Sequence, residues 1–273
     1  MLPVRPAHHT KHVPLLHYPF RSTTFHLTQR NNGQTNGTAL WLGAQCLSLY
    51  LADICARKSP IPSHRRQKVI ELGSGIGLSA LALCSLGWDV LATDLPDVIS
   101  SVLSGNISHN FANLPPTSGS VLVRILNWTI PPDEWTWDNR LYIAASTEDH
   151  MGLPPQPSSH SEERLDPPFD MIISADTLYE PSLVEPLLRS IHHISKLSLN
   201  SARRAPPVYL CLERRDPALI DQALASAKGT WNFTVERIPQ KKITKAMERG
   251  GLVWEPEDWD GVEIWKLNLR NTA

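Results

Sequence analysis

Cysteine is scarce in this chain of 273 residues: only Cys46, Cys55, Cys84 and Cys211 occur, and no two of them form a C-x-x-C pair. That excludes a cysteine-built structural zinc site and a disulfide framework, and it fits reduced thiols inside a cell. No apolar run approaches the ~18 residues of a membrane span, and the Pro- and His-containing N-terminus lacks the apolar centre of a secretory signal. Charge of either sign is not in excess either. The 26 basic and 27 acidic residues leave a net charge of -1, without the basic field expected for sequence-independent nucleic-acid binding. The expectation is a soluble monomer of the cytosol or nucleus that binds neither membrane nor nucleic acid directly. Eleven histidines are present, but His8, His9, His12, His17 and His26 lack a helical i, i+4 pairing beside an acid, so no metal is expected and the region reads as surface.

Hydrophobic residues make up 41% of the chain, enough for one large core or two small ones. One domain with additions is the simpler reading: an N-terminal extension, 1–37, then a single domain, 38–273. Residues 129–168 form an insertion without sustained period, whose stretch 152–168 has the composition of a flexible segment. Trp135 and Trp137, within the insertion, are candidates to fold back on the body. Alternation around 21–27 suggests an edge hairpin strand.

The organising stretch is 69–94. An apolar run, 68–72, ends in a glycine cluster; 78–86 carries apolar residues at helical spacing and stops at Gly87; a second apolar run ends on Asp94. This is strand, turn, helix, strand, the unit of a parallel sheet. Gly73, Gly75 and Gly77 let the backbone turn sharply and approach a ligand, and the helix that follows should point N–H groups at it. An acid about 20 residues past the first glycine is placed to take ribose hydroxyls, and Asp94 fits. A dinucleotide fingerprint needs G-x-G-x-x-G, yet Leu78 stands where its third glycine would be, and Glu71 would repel a pyrophosphate. A carboxylate there suits a positively charged ligand. The other reading is an ordinary α/β turn whose glycines only permit close packing.

E-x-G-x-G-x-G after a first strand, with an acid closing the second, resembles motif I and its partner in the class I methyltransferases that bind S-adenosylmethionine. The resemblance implies a doubly wound, mostly parallel, seven-stranded Rossmann-like α/β sheet with an antiparallel C-terminal edge hairpin. Strands at 121–128, 169–176, 207–212, 231–238 and 261–269 and helices at 38–57, 98–110, 182–195 and after Pro217 complete that pattern. The polar segment 240–259, with Lys241, Lys242, Lys245 and Arg249, reads as a solvated loop.

Further segments narrow the resemblance to the family 16 lysine methyltransferases. Trp41, just before the helix that precedes motif I, is similar to the segment that contacts the cofactor there, or is a core anchor. Asn127 and Trp128 end the third strand, and Trp128 is similar to the tryptophan lying against the adenine, or caps the sheet edge. Asp176-Thr-Leu-Tyr179 after the fourth strand matches the family's D-x-x-Y at the mouth through which a substrate amine reaches the methyl group; alone it could be a plain turn. The acid and two arginines that close the fifth strand, Glu213, Arg214 and Arg215, resemble the branch containing methyltransferase-like protein 22.

By this resemblance Trp41, Glu71, Gly73, Gly75, Gly77, Asp94, Leu95, Asn127, Trp128 and Ala175 would bind the cofactor, S-adenosyl-L-methionine, while Asp176 and Tyr179 would orient the acceptor. The implied activity is transfer of a methyl group to a lysine amine of a protein substrate. That reaction needs neither nucleophilic residue nor metal, so positioning is the main contribution. A small-molecule N-methyltransferase and a non-catalytic module that keeps the cofactor fold as a scaffold are the alternatives.

Overall fold

The computed structural model describes residues 4–30, 36–57, 65–146, 164–202 and 204–270. Its centre is β3 (Lys68–Leu72), whose side chains alternate between two apolar environments: Val69 enters one core, Ile70 and Leu72 the other. A strand apolar on both faces must be covered on both, and the chain does so. On one face lie α1 (Leu42–Arg57), α2 (Leu78–Ser85), the run α3 (Pro96–Val98), π segment Ile99–Leu103 and α4 (Ser104–Phe111), and α7 (Gln240–Arg249); on the other lie α5 (Pro181–Ala202) and α6 (Pro217–Gly229).

The sheet between them has eight strands in the order β6-β5-β4-β3-β7-β8-β10-β9. These are β4 (Asp89–Asp94), β5 (Val121–Leu126), β6 (Tyr142–Ala144), β7 (Met171–Ala175), β8 (Val208–Glu213), β9 (Phe233–Arg237) and β10 (Val262–Leu269). All pairings from β6 to β8 are parallel, and β10 runs antiparallel to both β8 and β9. The chain leaves β3 in one direction toward β4 and β5 and later returns to its other side as β7. Here the strand order reverses, and open α/β sheets put ligands at such a point.

Four expectations need correction. The sheet has eight strands rather than seven, because β6 lies inside the segment read as a structureless insertion and extends the edge beyond β5. The described part of that segment is fastened from below by Arg124 of β5, a buried cation that pairs with Asp166 at 3.0 Å and donates to the carbonyls of Trp137, at 2.6 Å, and Asn139. Trp135 and Trp137 do fold onto the body, against the second core; residues 147–163 of the insertion lie outside the described residues. The segment after Pro239 is helical from Gln240 to Arg249, its lysines outward and Ile243, Ala246 and Met247 inward at three and four spacing against the first core. Helix α1 begins at Leu42, later than Thr38.

The hairpin expected near 21–27 forms as a separate two-stranded sheet, β1 (Leu15–Phe20) with β2 (Thr23–Thr28), and Phe20, Phe25 and Leu27 enter the first core. Two asparagines one helical turn apart on α4 receive its edge. Asn106 Oδ1 accepts from Thr28 N–H at 2.8 Å while its Nδ2 donates to the carbonyls of Thr28 and Ile76, both at 2.9 Å; Asn110 does the same for His26, at 2.7 and 2.8 Å. Asn106 is buried, so replacing it strands several backbone groups at once, each costing ~1–3 kcal/mol. Asn106→Ala should lower unfolding free energy by roughly 2–4 kcal/mol in urea titrations, and a loss under ~0.5 kcal/mol would mean the hairpin is not held this way.

Candidate active site

A cavity of about 780 Å³ opens at the C-terminal ends of β3, β4, β5, β7 and β8, within the size range of ligand clefts. Of the twelve residues singled out in the sequence, eleven line it: Trp41, Glu71, Gly73, Gly75, Asp94, Leu95, Asn127, Trp128, Ala175, Asp176 and Tyr179. Gly77 does not. It sits in the left-handed region (φ 89°) at the start of α2, where an added Cβ would stand 2.9 Å from Leu103, so its role is to bring α2 close to the π segment.

The turn after β3 differs from the expectation of free N–H groups. Gly73 and Ser74 both donate to the Thr93 carbonyl, at 3.0 and 2.9 Å, Gly75 donates to Asp94 Oδ2 at 2.8 Å, and Gly77 donates to Ser74. Leu95 N–H takes the other oxygen of Asp94, also at 2.8 Å. The turn is thus closed upon β4, and the Asp94 carboxylate is fixed in orientation with its remaining lone pairs on the cavity. Gly73 (φ 76°) and Gly75 (φ 54°) hold this shape; a Cβ on Gly73 would lie 2.7 Å from Thr177, and one on Gly75 would lie 3.2 Å from the Gly37 carbonyl.

Glu71, at the end of β3, is 1% exposed. Burial pushes its pKa up to about 8; the facing Ser74 and Ser79 hydroxyls offset part of this, and the charge of Asp94 adds to it. Neither hydroxyl reaches full hydrogen-bond geometry, and Glu71 Oε2 has no partner. Burial likewise raises Asp94 to about 6 against the two backbone N–H groups that stabilise its charge. Two acids held this high in one cavity make it a place where a cation would be stabilised.

Asp176 closes the far wall. Its backbone is in the left-handed region (φ 56°), uncommon for a residue with a side chain, and its N–H donates to the Cys211 carbonyl at 2.8 Å. The carboxylate then meets the first turn of α1, where Gly43 N–H donates to Oδ2 at 2.7 Å. Any Cβ on Gly43 would stand 2.5 Å from that oxygen, so glycine is required for the contact. Burial lifts Asp176 to about 6, with the Gly43 bond and Arg215 opposing and Glu213 reinforcing the shift.

Tyr179 lines the same cavity. It is 53% exposed, bonded to Asn36, and near Asp94. Leu95, 47% exposed, is another uncovered apolar residue of this wall.

Wall residues that sequence reading missed include Asn36, Gly37, Thr177, Glu213, Arg215 and Asp216. Glu213, Arg215 and Asp216 were visible as a charged cluster closing a strand; Asn36 and Gly37 come from the segment assigned to the N-terminal extension and carry no local signal. His8, His9 and Asp258 bring possible metal donors within 4.8 Å of one another, but none lines the cavity and both histidines are exposed.

Residues 21–146 match the family described as lysine methyltransferase. The protein-lysine N-methyltransferase rrg1 of Schizosaccharomyces pombe is 35% identical over 112 residues, 41% of this chain and 29% of that protein. The protein-lysine N-methyltransferase EEF2KMT of Bos taurus is 27% identical over 209 residues, 75% of this chain and 55% of its own length. The chain therefore spans about half or less of these curated relatives. Among solved structures, the N-terminal domain of human METTL16 in complex with SAH is similar at a TM-score of 0.49 and 11% identity, over 89% of this chain and 75% of that one.

The raised acids fix a pH dependence. Between about 4.5, the ordinary value for Glu71, and about 8, the folded protein keeps a proton that the unfolded chain has released, so stability falls as pH rises. Asp94 and Asp176 act in the same direction up to about pH 6. Urea titrations should show less stability at pH 8.5 than at pH 5, with a slope of about 1.4 kcal/mol per pH unit for each proton retained, and Glu71→Gln should flatten much of that slope. Equal slopes in both proteins would mean that Glu71 ionises freely in the fold.

Proposed function

With residues 21–146 matching the lysine methyltransferase family, we propose that this chain is an S-adenosylmethionine-dependent protein N-methyltransferase whose acceptor is a lysine side-chain amine. The observation that carries the reading is the pairing of a buried acid without a cation, Glu71, with a second acid pinned across the same cavity, Asp176.

The residues present suit the cofactor. Glu71 Oε2, Ser74 Oγ and the Trp128 indole N–H are buried polar atoms without partners, and all three residues line the cavity. Left unsatisfied, each costs ~1–3 kcal/mol, a cost that a bound polar group removes. Glu71 would hold the positive portion of S-adenosylmethionine, Asp94 its ribose hydroxyls, and Trp128 with Leu95 the apolar purine. Gly73 and Gly75, both at positive φ, keep the turn in the shape that lines this cavity, since a side chain at Gly73 would collide with Thr177 and one at Gly75 would press on the Gly37 carbonyl. When bound, the cofactor supplies a methyl group on a sulfonium, ready for in-line displacement.

The chain's own task is then to deliver a neutral amine in line. A free lysine is almost wholly charged at pH 7, and removal from water lowers its pKa. Asp176, oriented by the α1 N-terminus, accepts a hydrogen bond from the amine and directs its lone pair. Glu213 adds negative charge beside it, and Arg215 keeps that charge from over-stabilising the ammonium. Trp41 offers an aromatic face for the cationic product. Tyr179, half exposed beside Asn36, would orient the amine together with Asp176.

Proteins presenting a lysine are the substrate class, as the names of the relatives say of those proteins. Cys46, Cys84 and Cys211 are buried free thiols, which supports a reducing compartment such as cytosol or nucleus. Among the described residues no helix is long and apolar enough to cross a membrane.

Methylation should be assayed in an extract with methyl-labelled cofactor. The wild type should label protein at lysine; Asp176→Ala should retain cofactor binding in calorimetry while losing roughly 10²-fold in labelling, the cost of a misplaced reacting group. Gly75→Arg should lose binding while keeping the wild-type circular dichroism. Unchanged labelling by Asp176→Ala would remove the acceptor role, and undiminished binding by Gly75→Arg would place the cofactor elsewhere.

A further inference from the structure

Lys11 brings an amine from the chain's own N-terminal segment to the wall of the cavity. Its Nζ stands 3.4 Å from the centre of the Trp41 ring, well inside the ~6 Å reach of a cation–π contact. The Arg215 guanidinium carbon lies 4.8 Å from the same ring. Glu213 and Asp176, the acids at the ends of β8 and β7, both stabilise the Lys11 charge and so oppose the lowering by burial and Arg215, which is the larger effect. An aromatic face, a buried acid and a charged neighbour are the surroundings proposed above for an acceptor amine, and a lysine of this chain already stands among them.

A lysine serving only to brace the segment would be expected to close an ion pair. Among the described residues Lys11 Nζ forms neither an ion pair nor a hydrogen bond. Other groups fasten the segment on both sides of it. Gln29 Nε2 donates to the carbonyls of Thr10 and Val13, each at 2.7 Å; Gln45 Nε2 donates to the Arg5 carbonyl at 3.0 Å, and the Trp254 indole to the Val4 carbonyl at 2.7 Å. The backbone around Lys11 is held while its amine makes only the cation–π contact with Trp41.

From this juxtaposition we infer that Lys11 is a methylation site of the chain itself, modified in cis at its own cavity. The inference rests on the methyltransferase reading. Lys11 itself does not line the cavity, so with the backbone pinned by Gln29 the step requires a side-chain rotation that carries Nζ off the Trp41 face toward Asp176, a motion on the fast timescale of such rotations. The Nζ lone pair forms the bond to the methyl carbon, the carbon–sulfur bond breaks with its electron pair left on sulfur, and the amine proton passes to water. Burial, followed by the nearby Arg215 charge, lowers the Lys11 pKa, which favours the neutral amine that this step requires.

The test incubates the full chain with methyl-labelled S-adenosylmethionine, maps the label by peptide mass spectrometry, and measures cofactor binding by calorimetry. Expected are methylation at Lys11, a rate constant unchanged over a tenfold range of protein concentration, and no label at this position in Lys11→Arg. Cofactor binding with Lys11 unmodified would overturn the inference and leave the methyltransferase reading standing, as would a rate rising with protein concentration. No cofactor binding at all would remove both. A readout without cofactor is the pH dependence of acetic anhydride labelling: the Lys11 midpoint should fall below those of exposed Lys241 and Lys242, and a midpoint at or above theirs would overturn the inference.

Discussion

A carboxylate buried without a counter-charge is the constraint to which the rest of this site answers. Glu71 is carried to its place by β3, whose neighbours on both sides are parallel strands, so the residue cannot turn outward without breaking the sheet. The turn that follows could have offered its N–H groups to a phosphate, as such turns do in dinucleotide-binding proteins. Here they are spent on the Thr93 carbonyl and on Asp94. What the turn leaves facing the cavity is acid rather than a row of free backbone N–H groups, and that favours a cation over a phosphate. The same closure of the turn fixes Asp94, so the two acids are set by one piece of backbone.

The opposite wall is built from parts far apart in the chain. Asp176 adopts a strained backbone at the end of β7 and is held by the first turn of α1, which only a glycine at position 43 permits. The N-terminal segment completes the arrangement. Gly37 packs against Gly75, Asn36 meets Tyr179, Lys11 covers Trp41, and the hairpin behind them is locked to α4 by Asn106 and Asn110. The segment before α1 is therefore joined to the glycine turn on one side and to the wall holding Asp176 on the other.

Much of this was readable in the sequence, and the parts that were share a physical character. The glycine turn, the acids that end β3 and β4, and the D-x-x-Y after β7 are local patterns: each depends on a few adjacent residues whose backbone demands or strand-end positions leave a mark. Helix α7 was missed because its lysines outweighed the inward set Ile243, Ala246 and Met247, and β6 because three residues are too few to show a period. Asn36 and Gly37 left no trace, since what makes them wall residues is contact with positions far along the chain. Gly77 was read as part of the ligand surface because spacing alone does not distinguish a glycine that approaches a ligand from one that admits a neighbouring helix.

The most direct test of the buried-acid account is the proton balance of cofactor binding. Calorimetric titration with S-adenosylmethionine at pH 7, in two buffers of different ionisation enthalpy, reports how many protons leave with each binding event. With Glu71 raised to about 8, most molecules hold its proton before binding, and a cation arriving beside it drives that proton off. The account predicts net release approaching one proton per cofactor in the wild type and much less in Glu71→Gln. Equal heats in both buffers for the wild type would contradict it.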